Sequence, residues 1–392
     1  MPLEGIKVLE LARTLAGPIS GQLLGDLGAE VIKVEQPEIG DESRRFIPPE
    51  WNGESCYFLS SNRNKKSITL NLKTEQGRNI IYEIIKDTDI LIENFRTGAT
   101  EKLGTDYQTL KKINPRLIYL SVSGFGRTGP EKYRAGYDLL LQGYSGLMST
   151  TGELGIPYKV GPSIADMSAG ILGAFGVLAA LLARDKTGEG QFVDCSLLDS
   201  QIMMLNYLAT SYFATGSSPE PMGQAHNSLV PYQVFKARDK NIILAVGNDS
   251  LWVKLCKAMG WGDLLEIEEY RTNQSRVANR EKLVPILSER LGQLTSEEIC
   301  HTLDQTGVPC GPINSVGDAV TSPQAVARNM MVEINHPIVK NLVTPAFPVK
   351  LSATPATVRQ HPPLLGEHTE EVLSTLGLGK EEIAMMRREG VI

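Results

Sequence analysis

The chain has 392 residues, of which 42% are hydrophobic, and a formal net charge of −6. This is enough apolar sequence to bury a sizeable core over roughly two to three domains, and without a Lys/Arg-rich run it argues against nucleic acid as a partner. The start, MPLEGIKVLELA, lacks a signal-peptide pattern, and the most apolar run, residues 171–183, is too short to span a bilayer, so no membrane and a cytoplasmic location are expected.

In chain order, residues 5–11 read as a strand and 19–27 as a helix. Residues 30–35 (EVIKVE) form a second strand and 67–72 a shorter one. Residues 74–87 follow as an amphipathic helix with Ile80, Ile81, Ile84 and Ile85 on one face. Strands at 89–93 and 116–122 continue a βαβ rhythm that predicts a parallel α/β sheet. Two helices are expected at 168–184 and 197–215, joined by the loop DKTGEG. Residues 216–225 are Pro/Gly/Ser-rich and read as a linker. Beyond it the pattern changes to strands at 234–236 and 242–246 and helices at 251–259, 280–291 and 296–306. The predicted organisation is a large domain from 1–215, a smaller α+β domain from 225–322, and a proline-rich extended tail from 323–392 ending in a helix from about Thr369.

Cys56, Cys195, Cys256, Cys300 and Cys310 include no CxxC pair, so a disulfide framework is not expected. All five histidines, His226, His301, His336, His361 and His368, lie beyond residue 225 and none has metal-ligand spacing; no metal site is expected.

Three loops are candidates for chemistry. The turn after the first strand, Ala12 to Pro18 (ARTLAGP), has no GxGxxG, which disfavours a nicotinamide or flavin dehydrogenase and leaves an ordinary βα turn. The loop Gly124 to Pro130 (GFGRTGP) follows a strand, where backbone N–H groups can approach phosphates; a plain glycine-rich loop fits equally well. Asp166, in GPSIADMSAG, opens an apolar helix. It reads either as an N-cap or as a carboxylate kept ionised by the helix dipole, an effect worth about 0.3–1 kcal/mol, and able to attack an acyl carbon. Its small neighbours Ala165, Ser168, Ala169 and Gly170 would leave room for a ligand.

Together these stretches, with LLGDLGAEVIKVEQPEIGDESR, NRNKKSITLNLK, DILIENFRTGATEKLG, RDKTGEGQFVDCSLLD, MGQAHNSLVPYQVF, VGNDSLW, GVPCGPINSV and PPLLGEHT, resemble the class III CoA-transferase family along the whole chain and in the same order. Members include formyl-CoA transferase and carnitine CoA-transferase. The resemblance implies a Rossmann-like large domain formed from both chain ends plus a smaller α+β domain, in ring-like subunits that interlock as a homodimer. It implies no permanently bound cofactor, coenzyme A entering as part of an acyl-CoA substrate, with a carboxylic acid as the other substrate. By the same resemblance Asp166 is the nucleophile. Arg13, Thr14, Leu15 and Ala16 line the reaction centre, Tyr137 and Asp138 border the pantetheine path, and Leu72, Lys73, Asn94, Phe95, Arg96 and Lys102 hold the CoA nucleotide. Lys73, Arg96 and Lys102 suit phosphate, and Phe95 offers a face to adenine. The loop of Gly247 and Asn248 is a candidate oxyanion donor.

Formyl-CoA transferase carries His and Gln where this sequence has Arg13 and Leu15, and the second half resembles the succinyl-CoA:glutarate CoA-transferase branch most. A dicarboxylate is therefore expected, with Arg13 suited to a substrate carboxylate. Three alternatives are an α-methylacyl-CoA racemase, an acyl-CoA-binding protein and an acyl-CoA hydrolase. The racemase would need a second base, and Tyr137 occupies the place where a histidine would serve.

Overall fold

Strands buried on both faces carry continuous apolar runs, and alternate residues divide between two cores. Val8, Ile90, Ile92, Ile118, Leu120 and Val122 enter one core, while Leu9, Leu11, Leu91, Leu117 and Tyr119 enter the other. The structure, a computed structural model, describes residues 1–392.

Its strands are β1 (Lys7–Glu10), β2 (Glu30–Glu35), the small hairpin β3 (Glu50–Trp51) and β4 (Glu54–Ser55), β5 (Lys65–Thr69), β6 (Ile90–Glu93), β7 (Ile118–Ser123), the hairpin β8 (Gly152–Glu153) and β9 (Ile156–Pro157), and β10 (Phe192–Ser196). Six of them form one parallel sheet in the order β10-β7-β6-β1-β2-β5. The helices that matter for the site are α1 (Ala16–Asp26), α2 (Cys56–Ser61), α3 (Glu75–Ile85), α4 (Ala99–Leu103), α5 (Tyr107–Ile113), α6 (Asp138–Tyr144), α7 (Ile164–Thr187), α8 (Leu197–Leu205) and α9 (Tyr207–Thr215).

The chain divides into two compact units. The first comprises Met1–Leu147, Lys159–Ser217 and Pro323–Ile392, so the C-terminal tail belongs with the large sheet. Val372, Leu373, Ile383, Met386, Val391 and Ile392 fill the core beneath α3, and Asn71 N–H donates to Val391 O at 2.8 Å. The second unit is Met148–Tyr158 with Ser218–Ser322. It holds the antiparallel strands β11 (Tyr232–Lys236), β12 (Asn241–Ala245) and β13 (Cys310–Pro312) and a core around Trp252, Leu255, Leu287 and Leu303.

The structure differs from the sequence reading, or adds to it, in four places. Residues 148–158 group with the second unit, not the large one: the β8–β9 hairpin closes on itself, and Gly223 N–H donates to Gly152 O at 2.8 Å. The run Phe192–Ser196 is a sixth parallel strand; Gly190 permits it, because a Cβ there would stand 2.1 Å from Leu117 O. The helix expected at 197–215 breaks at Asn206, which adopts a left-handed φ of 46°. Finally, α7 runs for 24 residues, beyond both ends of the helix expected at 168–184, and it is long and apolar enough to cross a membrane by length and composition only, a test that the core helix of a soluble protein also passes. One face of it is buried in the large core through Ala165, Ala169, Val177 and Ala180, whereas Ile171, Phe175 and Leu182 are exposed.

Candidate active site

From β1 the sheet grows through β2 and β5 on one side and through β6, β7 and β10 on the other. The chain therefore leaves the carboxyl ends of β1 and β6 in opposite directions, and such a switch point opens a crevice. A cleft of about 360 Å³ lies there. Its lining comes from the segments after β1 (Arg13 to Ala16) and β6 (Asn94 to Thr97), from the end of β7 and the loop beyond it (Val122 to Phe125, and Arg127), and from Lys132, Arg134, Tyr137 and Asp166.

The first two segments lock onto each other. Arg13 N–H donates to Asn94 Oδ1 at 2.9 Å, and Asn94 Nδ2 donates to Arg13 O at 2.7 Å. Thr14 has a φ of 73°, a strained conformation for a β-branched residue. Its N–H donates to both oxygens of Asp41, at 3.0 and 3.2 Å. Asp41 is itself anchored in a buried ionic chain. Lys33 Nζ lies 2.8 Å from Asp41 Oδ2 and 3.0 Å from Glu10 Oε1, and donates to Ala12 O at 2.8 Å; Lys65 Nζ reaches Glu10 Oε2 at 2.9 Å. Burial opposes the charge on Asp41, but Lys33 and the N–H groups of Ser43 and Thr14 hold its carboxyl well below the usual carboxylate range. Burial would likewise lower Lys33, and Asp41 and Glu10 more than offset it and raise that ammonium. Strained Thr14 thus rests on a charged support, and α1 begins two residues later with no side-chain cap on its first N–H groups.

Asp166 departs from both sequence readings. The N-cap position of α7 is Ser163, and Asp166 is the third helical residue. The dipole does not dominate its ionisation: burial, then the negative charge of Asp138, push the Asp166 carboxyl up to about 7. The half-buried carboxylate has neither a hydrogen bond nor a cation among the influences on it. The small residues after it admit another helix, not a ligand. A Cβ on Gly170 would meet Ala16 O at 2.6 Å, and Ser20 Oγ donates to Gly170 O at 2.7 Å, so α1 occupies that room.

The cleft brings together Arg13, Thr14, Leu15, Ala16, Asn94, Phe95, Arg96, Tyr137 and Asp166. Arg13 is engaged: its guanidinium is 3.1 Å from Glu42 and sits 5.3 Å from the Phe95 ring centre, so the face expected for adenine carries an arginine here. Leu72, Lys73 and Lys102 are not in the lining. Leu72 packs with Phe95 onto the α3 core, whereas Lys73 and Lys102 are exposed, on the turn after β5 and on α4. Asp138 is likewise outside the lining, with its carboxylate turned to backbone and glutamine donors. Gly247 and Asn248 belong to the second unit, where Asn248 Oδ1 caps the helix Asp249–Ala258 by accepting from Leu251 N–H at 2.9 Å.

The glycine loop is not a phosphate nest. Gly126 N–H donates to Ser123 Oγ and Arg127 N–H to Asp194 Oδ2, while the Arg127 side chain holds Glu93, Thr97 Oγ1 and Phe95 O. Sequence reasoning missed Glu42, Lys132 and Arg134. Arg134 stacks on Phe125 and Tyr144 at 5.2 and 5.0 Å. The spacing of KYRAGYD, with cations shortly before Tyr137, was the available signal. No histidine lines the cleft, and no group of three or more His, Cys, Asp or Glu side chains is placed to hold a metal ion.

The family described as CoA-transferase family III matches residues 3–369. Among curated proteins, succinyl-CoA:glutarate CoA-transferase of Mus musculus is 42% identical over 374 residues, covering 95% of this chain and 86% of that protein. Succinate–glutarate CoA-transferase of Agrobacterium fabrum is 40% identical over 382 residues, covering 96% of each. Among solved structures, a CaiB/BaiF family protein from Brucella suis superimposes with a TM-score of 0.86 at 41% identity, covering 96% of this chain and 99% of that one. With a family match spanning nearly its whole length, this chain belongs to CoA-transferase family III and is an enzyme of that class.

Proposed function

We propose that this CoA-transferase moves CoA from succinyl-CoA, or a similar acyl-CoA, to a dicarboxylic acid of the glutarate class, with Asp166 as the covalent nucleophile. The observation that carries the reading is a half-buried carboxylate with no hydrogen bond or cation to quench it, in a cleft whose lining includes the cations Arg13, Arg96, Lys132 and Arg134 and one other acid, Glu42. The names of the mouse and Agrobacterium relatives support succinate and glutarate as the acids. Arg13, held loosely between exposed Glu42 and Phe95, is a fork suited to a second carboxylate. Lys73, Arg96 and Lys102 are exposed cations suited to the CoA phosphates, and Leu72 precedes Lys73 in the chain. The absence of a histidine from the lining leaves an isomerase without its second base.

In the proposed reaction an Asp166 oxygen attacks the donor's thioester carbonyl. The C–S bond breaks, and a mixed anhydride and CoA thiolate result. The thiolate attacks the aspartyl carbonyl carbon, the anhydride C–O bond breaks, the donor acid leaves as its carboxylate, and Asp166 carries CoA as a thioester. The acceptor carboxylate then attacks that thioester carbonyl and expels the thiolate. The thiolate next attacks the acceptor's carbonyl in the new anhydride, which frees acceptor-CoA and the Asp166 carboxylate. No proton is gained or lost over the cycle. Covalent catalysis divides one exchange into easier ones, and contacts to the distant nucleotide keep the thiolate beside the anhydride. The backbone N–H groups at the uncapped start of α1 are the proposed oxyanion donors.

We also infer an interlocked homodimer of ring-like subunits in the cytoplasm. Exposed Ile171, Phe175 and Leu182 on α7 and Tyr212 and Phe213 on α9 support a second copy as the covering surface, and five free cysteines suit a reducing compartment. Light scattering at micromolar concentration should give twice the chain mass; a monomer would refute the dimer.

The decisive test of the nucleophile is to incubate the protein with succinyl-CoA, add hydroxylamine and map the product by mass spectrometry. A hydroxamate on Asp166 is expected. Modification elsewhere, or near-normal turnover in an Asp166→Ala protein purified free of host enzyme, would overturn the assignment.

A further inference from the structure

Asp138 is an acid that the reaction above does not use. It opens α6, and each of its carboxylate oxygens has a protein donor. Oδ1 accepts from Ala165 N–H at 2.8 Å and Oδ2 from Gln142 Nε2 at 2.7 Å. Gln142 is fully buried, and its own Oε1 accepts from Val160 N–H at 2.9 Å. The loop from residue 160 to 165, which delivers Asp166, is thereby fastened near both ends to α6. Ser163, in the N-cap position of α7, makes no side-chain cap, so Ala165, the second helical residue, finds its acceptor on another helix. Asp166 is the next residue.

We propose that Asp138 is a positioning residue for CoA transfer: it clamps the start of the helix that carries Asp166 and sets a fixed negative charge behind that carboxylate. The proposal rests on the reading of Asp166 as nucleophile. The charge has a chemical consequence. Two neighbouring carboxylates repel, so ionised Asp166 is a more basic and better nucleophile than an isolated aspartate. Acylation removes one of the two charges, so the repulsion is relieved in both the anhydride and the aspartyl thioester. The other titratable groups near Asp166 are few. Tyr57, on α2, reaches Ser163 with its hydroxyl, and burial followed by the charges of Asp166 and Asp138 raises its phenol. The cleft adds the cations Arg13, Arg96, Arg127, Lys132 and Arg134 and the acid Glu42, while the first turn of α1 contributes no acidic residue.

The test uses full-length protein and the pH dependence of kcat/KM with succinyl-CoA and glutarate. Asp138→Asn retains an oxygen for Ala165 N–H but removes the charge. Its acidic limb is expected to move down by about one pH unit, its alkaline plateau to fall about tenfold, and its affinity for CoA to stay within about threefold of wild type. A purely structural cap would leave the acidic limb where it is, so a limb coinciding with wild type overturns the proposal. Asp138→Ser, a second uncharged capping residue, carries the same test if Asp138→Asn does not fold. Asp138→Glu, which keeps the charge, should retain the wild-type limb. Hydroxylamine trapping on wild-type protein separates the two ideas: an unmoved limb with Asp166 still trapped removes only Asp138's role, whereas no trapping on Asp166 removes the nucleophile assignment itself.

Discussion

Two aspartates serve the same cleft from opposite electrostatic circumstances. Asp41 is almost fully buried, yet it remains charged because Lys33 and two backbone N–H groups surround it. Asp166 is less buried but has no cation or donor acting on it, only burial and a second carboxylate, and it rises to about 7. Burial opposes charge in both; the partners decide the outcome. A carboxylate that is fully hydrogen-bonded and paired makes a support, and one left unpaired is available for chemistry. Asp41 holds strained Thr14 through its N–H, and Asp166 stands across the same cleft.

The largest expected effect comes from removing the unpaired member. Asp166→Asn should lower turnover by at least about 10⁴-fold, as loss of a covalent nucleophile does, while CoA binding followed by calorimetry stays within about threefold. A loss of only tenfold would erase the contrast between the two acids. Next in size is the paired member. Lys33→Met leaves Asp41 and Glu10 buried without their shared cation and should cost about 3–5 kcal/mol in chemical denaturation. A double variant, Lys33→Met with Asp41→Asn, should recover part of this, because one stranded charge is then gone.

The third prediction compares pH windows. Asp166 has a folded-state pKa above the unfolded value, so the folded protein holds a proton that the unfolded chain has released between about pH 4 and 7. Its contribution to stability is lost as pH rises through that window, and above it the ionised side chain costs on the order of 3 kcal/mol. Asp166→Asn should therefore match wild type near pH 4 and be more stable at pH 8 in denaturation curves. Asp41 has the opposite sign: its depressed pKa contributes stability that is complete above about pH 4 and is lost on further acidification. An Asp166→Asn protein whose advantage did not grow with pH would contradict the assigned environment.

The smallest effect concerns Arg13 and Glu42, an exposed pair worth less than about 1 kcal/mol. Glu42→Gln should leave the melting temperature nearly unchanged. It should also lower the KM for a dicarboxylate acceptor by about threefold with kcat preserved, since Arg13 is released for the substrate. No change in KM would indicate that Arg13 does not meet the acceptor acid.

Much of the site could be read from sequence because it follows strands. Arg13 to Ala16 and Asn94 to Arg96 come directly after β1 and β6, and the order of elements places those ends side by side. Roles that depend on distant partners were not readable. Asp138 was expected to face substrate and instead caps α7, 27 positions along the chain. The sequence left the loop Gly124 to Pro130 open between a phosphate site and a plain glycine-rich loop, and the structure shows its Arg127 bonded to Glu93 and Phe95 O. The placing of Arg13 5.3 Å from the ring centre of Phe95, 82 positions along the chain, was equally out of reach of the sequence.

The sequence by itself determined the βαβ rhythm, the family resemblance and the aspartate at the start of a small-residue helix, because periodicity and local motif are properties of neighbouring residues. Only the tertiary structure decided which charges are buried. Nothing in the hydrophobic pattern marks Lys33 and Lys65 as buried, yet both have fully buried side chains around Glu10, since ions separated in sequence can enter a core when they neutralise one another there. The same physical reason separates Asp41 from Asp166: what a carboxylate does depends on which partners the fold brings to it.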